Sequence, residues 1–305
     1  MNTRSHHFIF MDHHQEHLTN LKECWKNSPF PSIKLTNYFD TYVEAFCHLV
    51  GKNCVFIETG ILDGGSLFMW RDWLGPEAKI IGIDLNPAAK KWEEYGFEIY
   101  IGDQGDPLFW KETFQKIGPF DALLDDGGHQ SFQQINTCIE SIKSASKPCV
   151  IAIEDTATSL MKDFHQNKKY TFLEYSKAVT DILLGKLIKN NHERFQQIKS
   201  HISMDEYESV YNIRFYSGVI TFHVDKNKCM VPELLRNCEN ADGSTASDFR
   251  YDGKNSALIN WPGIFSKSIA INIKGGQGSY KNFLKKLASI IPLNTKLKLK
   301  KIFKK

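Results

Sequence analysis

Residues 56–70 read FIETGILDGGSLFMW. The apolar run Cys54–Glu58 ends on a carboxylate. The chain then passes through Gly60, Gly64 and Gly65 into the helical stretch Leu67–Leu74. A short strand entering a helix through glycines is one unit of an alternating β/α chain. Glycine at such a turn lets the backbone approach a ligand closely, and the helix start offers unpaired N–H groups, which suits a nucleoside or nucleotide. The glycines do not fall at G-x-G-x-x-G spacing, and G-x-x-x-x-G-K-[ST] is missing, which excludes the dinucleotide fingerprint and the P-loop.

Outward from this turn, four more apolar runs follow: Lys79–Asp84, Glu98–Ile101, Asp121–Asp125 and Cys149–Glu154. They alternate with helical patterns, which predicts an α/β fold on a mostly parallel sheet. Tyr38, Tyr42, Phe46 and Leu49 predict a helix over 36–50, and Leu173 to Leu187 another, both read as core. Tyr211–Val224 is rich in aromatic and β-branched residues around Ser217-Gly218, which predicts a closing strand pair. The expected organisation is a polar segment 1–35, a domain over 36–225, and a C-terminal extension over 226–305.

Carboxylates recur where the runs end, the edge at which open α/β sheets bind ligands. Asp84 is placed to accept from two ribose hydroxyls, or else to cap the next helix; Asp103, beside Gln104, is placed near an adenine edge. Asp125-Asp126-Gly127-Gly128-His129 crowds titratable groups into one turn, which costs stability unless a cation or ligand offsets the repulsion. Glu154-Asp155 closes the fifth run. Asp126, Glu154 and Asp155 would together form an all-oxygen set for a hard ion such as Mg²⁺, with His129 as general base beside it.

The segment Tyr38–Ser159 resembles the macrocin O-methyltransferase family, enzymes that use S-adenosylmethionine and Mg²⁺ to methylate sugar hydroxyls on macrolide antibiotics. The resemblance rests on FIETGILDGGSLFMW, IIGIDLNP, IGDQGDP, LLDDGGHQSFQQ and VIAIEDTATS, in the family's order and spacing. Thr59 departs from the aliphatic residue usual between Glu and Gly. The resemblance implies a class I methyltransferase fold: a Rossmann-like, mostly parallel seven-stranded sheet with helices on both faces. It implies cofactor contacts from Glu58, Gly60, Gly64, Ser66, Asp84, Asp103, Gln104 and Asp125. Asp126, Glu154 and Asp155 would hold the metal, and His129, with Asp126, would carry catalysis on a sugar-containing acceptor. Two other readings compete: an oxygenase of the cephalosporin hydroxylase type, which needs iron and two histidines, and a non-catalytic cofactor-binding or membrane-surface protein.

Composition bounds these readings. The chain has 305 residues, 42% of them apolar and 24% charged, which excludes collagen-like and wholly disordered classes. Seven cysteines without a C-x-x-C pair fit reduced thiols. The first twenty residues are polar and rich in His, with no apolar secretory stretch, so a flexible segment and a cytoplasmic location are expected. Residues 274–305 contain ten Lys and no acidic residue; with a net charge of +3, that leaves −7 for the rest. Residues 280–305 read as a basic amphipathic tail suited to an anionic membrane surface, which would place the protein at the inner membrane face; a solvated tail and nucleic acid are the alternatives, the latter not expected. Homo-oligomerisation is compatible with all of this.

Overall fold

The computed structural model describes residues 4–165, 170–185 and 207–229. Seven strands form one sheet: β1 (Val55–Thr59), β2 (Lys79–Asp84), β3 (Glu98–Ile101), β4 (Ala122–Asp125), β5 (Cys149–Ile153), β6 (Val210–Phe215) and β7 (Ile220–Val224). Their spatial order is β3-β2-β1-β4-β5-β7-β6, parallel except for β7, which runs antiparallel to both neighbours. The runs expected from sequence fall on these strands within a residue or two.

Helices cover both faces, as the near-continuous burial of β1, β4 and β5 requires. One face carries α1 (Arg4–Asn27), α2 (Tyr38–Phe46) and α3 (Gly65–Leu74), built around Tyr42, Phe46, Phe56, Trp70 and Trp92. The other carries α4 (Pro107–Ile117), α5 (Ser131–Ser144) and α7 (Phe172–Gly185), around Trp110, Phe114, Tyr175 and Phe222. A short α6 (Lys162–His165) lies between α5 and α7 in the chain.

The His-rich N-terminal segment differs from its expectation. It forms the 24-residue helix α1, which packs on α2 and α3. Leu18 and Leu21 are buried, and the Trp25 ring meets Phe39 at 5.6 Å. Its apolar stripe is short and spaced among histidines, so composition hides it. The described residues fall within one compact unit. The basic tail, residues 280–305, lies outside the described residues. Within them, no helix is long and apolar enough to cross a membrane.

Two consequences for stability follow from this packing. Trp70 is fully buried, with its ring 5.1 Å from Tyr42 and 4.7 Å from Phe56. Trp70→Ala removes that volume and should cost about 3–5 kcal/mol of unfolding free energy in denaturant titrations. On β7, His223 is held down to about 4 by burial, helped by Arg214, His48 and Lys228. Its folded pKa lies below its unfolded value, so protonation favours the unfolded chain. Stability should therefore fall by about 1–3 kcal/mol as pH drops from about 6.5 towards 4, and His223→Gln should flatten that slope.

Candidate functional site

The chain leaves β1 towards β2 and β3, and returns to β4 on the other side, so the β1/β4 pair marks the point where strand order reverses. Ligands of open α/β sheets bind outside the carboxyl ends of such a pair. A cleft of about 460 Å³ lies here, lined from Thr59–Asp63, Asp84, Gly102–Gln104, Asp126–His129 and Asp155, and walled by Pro31–Lys34. That volume suits a small-molecule ligand.

The glycines of the turn answer first to the protein. Gly60 has φ +82°, and a Cβ there would come 2.1 Å from the Asp126 carbonyl oxygen. Gly64 (φ +78°), at the start of α3, would collide with the Trp92 ring at 2.3 Å. Close approach of β1 to β4 and of α3 to Trp92 accounts for both, without a ligand.

Three non-glycine residues have left-handed backbone among the described residues: Leu62 (φ 40°), His129 (φ 55°) and Asp155 (φ 51°). All three line the cleft. Such conformations each cost about 1–3 kcal/mol and persist where surrounding structure enforces them, often at functional sites.

The titratable residues fall into two groups. In the outer group, Asp126, His129 and Asp155 each offer a ligand atom, and these atoms lie within 4.8 Å of one another. His129 Nε2 is 3.4 Å from Asp155 Oδ2, while its Nδ1 is buried without a partner. Asp155 Oδ1 accepts from the Tyr38 hydroxyl at 2.6 Å. The two carboxylates suit a hard divalent cation that keeps waters or substrate oxygens in its remaining positions, with the imidazole beside it.

In the inner group, the Lys34 side chain is 2% exposed, with Nζ at 2.6 Å from Asp126 Oδ2 and 3.5 Å from both Glu154 Oε2 and Glu58 Oε1. Burial alone would lower the Lys34 pKa, but Glu154, Tyr42, Asp126 and Glu58 outweigh it and hold the ammonium charged. One cation cannot balance three carboxylates. Burial consequently pushes Glu58 and Glu154 upward, against the pull of Lys34. Glu154 also accepts from the Tyr42 hydroxyl, and its backbone carbonyl from Gln134 Nε2 at 2.8 Å. The Glu154 carboxylate thus faces Lys34 and Tyr42.

The expected cofactor residues are placed as follows. Asp84 lines the cleft, its Oδ2 accepting from the amides of Ile61 and Leu62 at 3.1 and 3.3 Å and its Oδ1 from Asn86 at 2.8 Å. Asp103 also lines it, capping Gly105 N at 2.7 Å. Ser66 donates to Glu58 Oε2 at 2.7 Å. Gln104 Nε2 donates to both oxygens of Asp125 at 3.0 Å, and its Oε1 accepts from Gly128 N at 2.9 Å, which braces the 125–129 turn from behind. Buried Asp125 is pushed upward, by burial first. Thr59 Oγ1 is buried, partnerless and on the cleft, so a ligand donor or acceptor has a place to meet it.

Sequence reasoning missed Lys34, Tyr38 and Tyr42. The two tyrosines were read as core, yet a hydroxyl on an apolar helical stripe needs a partner, and that signal was legible. Lys34 carried none.

No family model matches the chain. It is similar to demethylmacrocin O-methyltransferase of Streptomyces fradiae, 31% identical over 102 residues, 33% of this chain and 25% of that protein. It is similar to 8-demethyl-8-(2-methoxy-alpha-L-rhamnosyl)-tetracenomycin-C 3'-O-methyltransferase of Streptomyces olivaceus, 37% identical over 71 residues, 23% of this chain and 18% of that protein. A third likeness is to mycinamicin VI 2''-O-methyltransferase of Micromonospora griseorubida, 36% over 66 residues, 22% and 16% respectively. The matches therefore span a quarter or less of these curated relatives. Among solved structures, the MycE methyltransferase of the mycinamycin biosynthetic pathway, in complex with Mg and SAH, superposes with a TM-score of 0.57 at 21% identity. That superposition covers 69% of this chain and 55% of that one. The fold is that of a class I methyltransferase.

Proposed function

We propose that the protein is an O-methyltransferase that uses S-adenosylmethionine and a divalent ion, Mg²⁺ by preference, on a hydroxyl of a sugar-bearing acceptor. The observation that carries this reading is the convergence of Asp126, His129 and Asp155 at the strand-order reversal, in the cleft that also exposes Asp84 and Asp103. Relatives named for sugar O-methylation support the acceptor class.

When bound, S-adenosylmethionine supplies an electrophilic methyl, and the ion lowers the pKa of an oxygen it binds. The chain's residues do the rest. Asp84 and Asp103, at the ends of β2 and β3, offer carboxylate oxygens to the nucleoside, and the Thr59 hydroxyl offers a further contact. Asp126 and Asp155 would hold the ion, at the edge of the cleft where an acceptor hydroxyl would meet the methyl donor. Tyr38 steadies Asp155 by its hydrogen bond. His129 accepts the acceptor's proton at Nε2, and the Asp155 carboxylate, 3.4 Å from that nitrogen, stabilises the imidazolium that forms. The oxygenase reading is disfavoured because the described cluster has one histidine and two carboxylates, the reverse of a 2-His-1-carboxylate set.

The direct test is incubation with S-adenosylmethionine and a panel of rhamnosylated and other deoxysugar-bearing acceptors, read by mass spectrometry for a gain of one methyl. Chelation should abolish transfer and Mg²⁺ restore it; turnover unaffected by chelation would remove the metal from the mechanism.

His129→Gln should bind cofactor and Mg²⁺ within a few-fold of wild type in calorimetry, yet turn over about 10²–10⁴-fold more slowly. Wild-type rates in that variant would move the base elsewhere, and lost Mg²⁺ binding would make His129 a ligand instead.

A further inference from the structure

Lys34 has no part in the chemistry above, yet it is the most deeply placed cation of the site. Its side chain is 2% exposed, and its ammonium lies 2.6 Å from Asp126 and 3.5 Å from Glu154. Those are two of the three carboxylates that sequence reasoning assigned to the ion. The third neighbour is Glu58 at 3.5 Å, and the Tyr42 ring lies 5.7 Å away. A monovalent side-chain cation therefore fills the place where an inner divalent ion would meet Asp126 and Glu154.

We infer that Lys34 is an internal competitor for the metal: it holds the carboxylates together in the ion-free protein and gives way when the ion binds. The inference rests on the metal reading proposed above. A divalent ion bound to Asp126 would stand within a few ångströms of the ammonium, and like charges at that range repel strongly in a buried site. The ion also brings twice the charge to a cluster that Lys34 alone leaves under-compensated. Once Lys34 withdraws, the Glu154 oxygen that faces it is free to meet an ion on Asp126, while the other oxygen keeps its hydrogen bond from Tyr42. The metal affinity of this protein is then set by a residue that never touches the metal.

The competitor is tethered to the cleft wall. Pro31, Ser32, Ile33 and Lys34 all line the cleft, and Ser32 Oγ is fixed by Trp25 Nε1 at 3.0 Å. Withdrawal of Lys34 therefore displaces part of that wall, and ion binding and cleft shape become coupled.

Calorimetric titration of MgCl₂ into the cofactor-free chain, wild type against Lys34→Met, tests this. The variant should bind Mg²⁺ at least fivefold more tightly, whereas a Lys34 that merely supports the fold would leave affinity unchanged or weaker. Because Lys34→Met leaves buried carboxylates unpaired, a second measurement uses the wild type alone. The Trp25 indole N–H, which donates to Ser32 Oγ at 3.0 Å, should shift its NMR resonance when saturating MgCl₂ is added. Equal or weaker binding by the variant, or an unshifted Trp25 indole resonance in the wild type, overturns the inference and leaves the metal reading standing. No Mg²⁺ binding by either protein overturns both.

Discussion

Carboxylates from three strand ends meet at one point in this molecule, and a single buried ammonium holds them there. Glu58 is the penultimate residue of β1, Asp126 follows β4 and Glu154 follows β5; Lys34 reaches all three from a segment outside the sheet. The cost of burying this much negative charge is large, and removing one partner of such a network typically costs several kcal/mol. The remaining features of the site adjust to that constraint. Tyrosines on α2 hydrogen-bond the acids that face it, Ser66 satisfies the second oxygen of Glu58, and Gln104 braces the neighbouring turn from below.

The packing on both sides of the sheet serves the same end. The aromatic cluster on the α1–α3 face fixes α2, and with it Tyr38 and Tyr42, against the ends of β1 and β5. The cluster on the α4–α5 face fixes Trp110, whose indole donates to the Gln104 carbonyl at 2.9 Å. Both layers thus press on the strand ends where the cleft opens. Hydrogen bonds hold the left-handed backbone in place: the Leu62 amide donates to Asp84, the His129 carbonyl accepts from Thr158, and Asp155 accepts from Tyr38.

Most of the sheet was legible because parallel, doubly buried strands write themselves as continuous apolar runs, and their loops begin with acids and glycines. The turn at Asp125–His129 and the pair Glu154-Asp155 stood out for the same reason. Side-chain direction was not legible. Glu154 and Asp155 are adjacent, so they point apart, and only the three-dimensional register reveals that Asp155 faces His129 while Glu154 faces inward. The helical character of residues 4–27 was masked by histidines, and Lys34 by its ordinary surroundings, since nothing local distinguishes a buried lysine from a solvated one.

The wall formed by residues 28–34 sits between two indoles. Phe30 lies 4.6 Å from Trp92 on one side, and on the other Ser32 accepts the hydrogen bond of Trp25. Indole emission is sensitive to hydrogen bonding and to neighbouring rings. The protein therefore carries its own optical gauge of the cleft wall, and shifts in this segment become observable by light without any label attached.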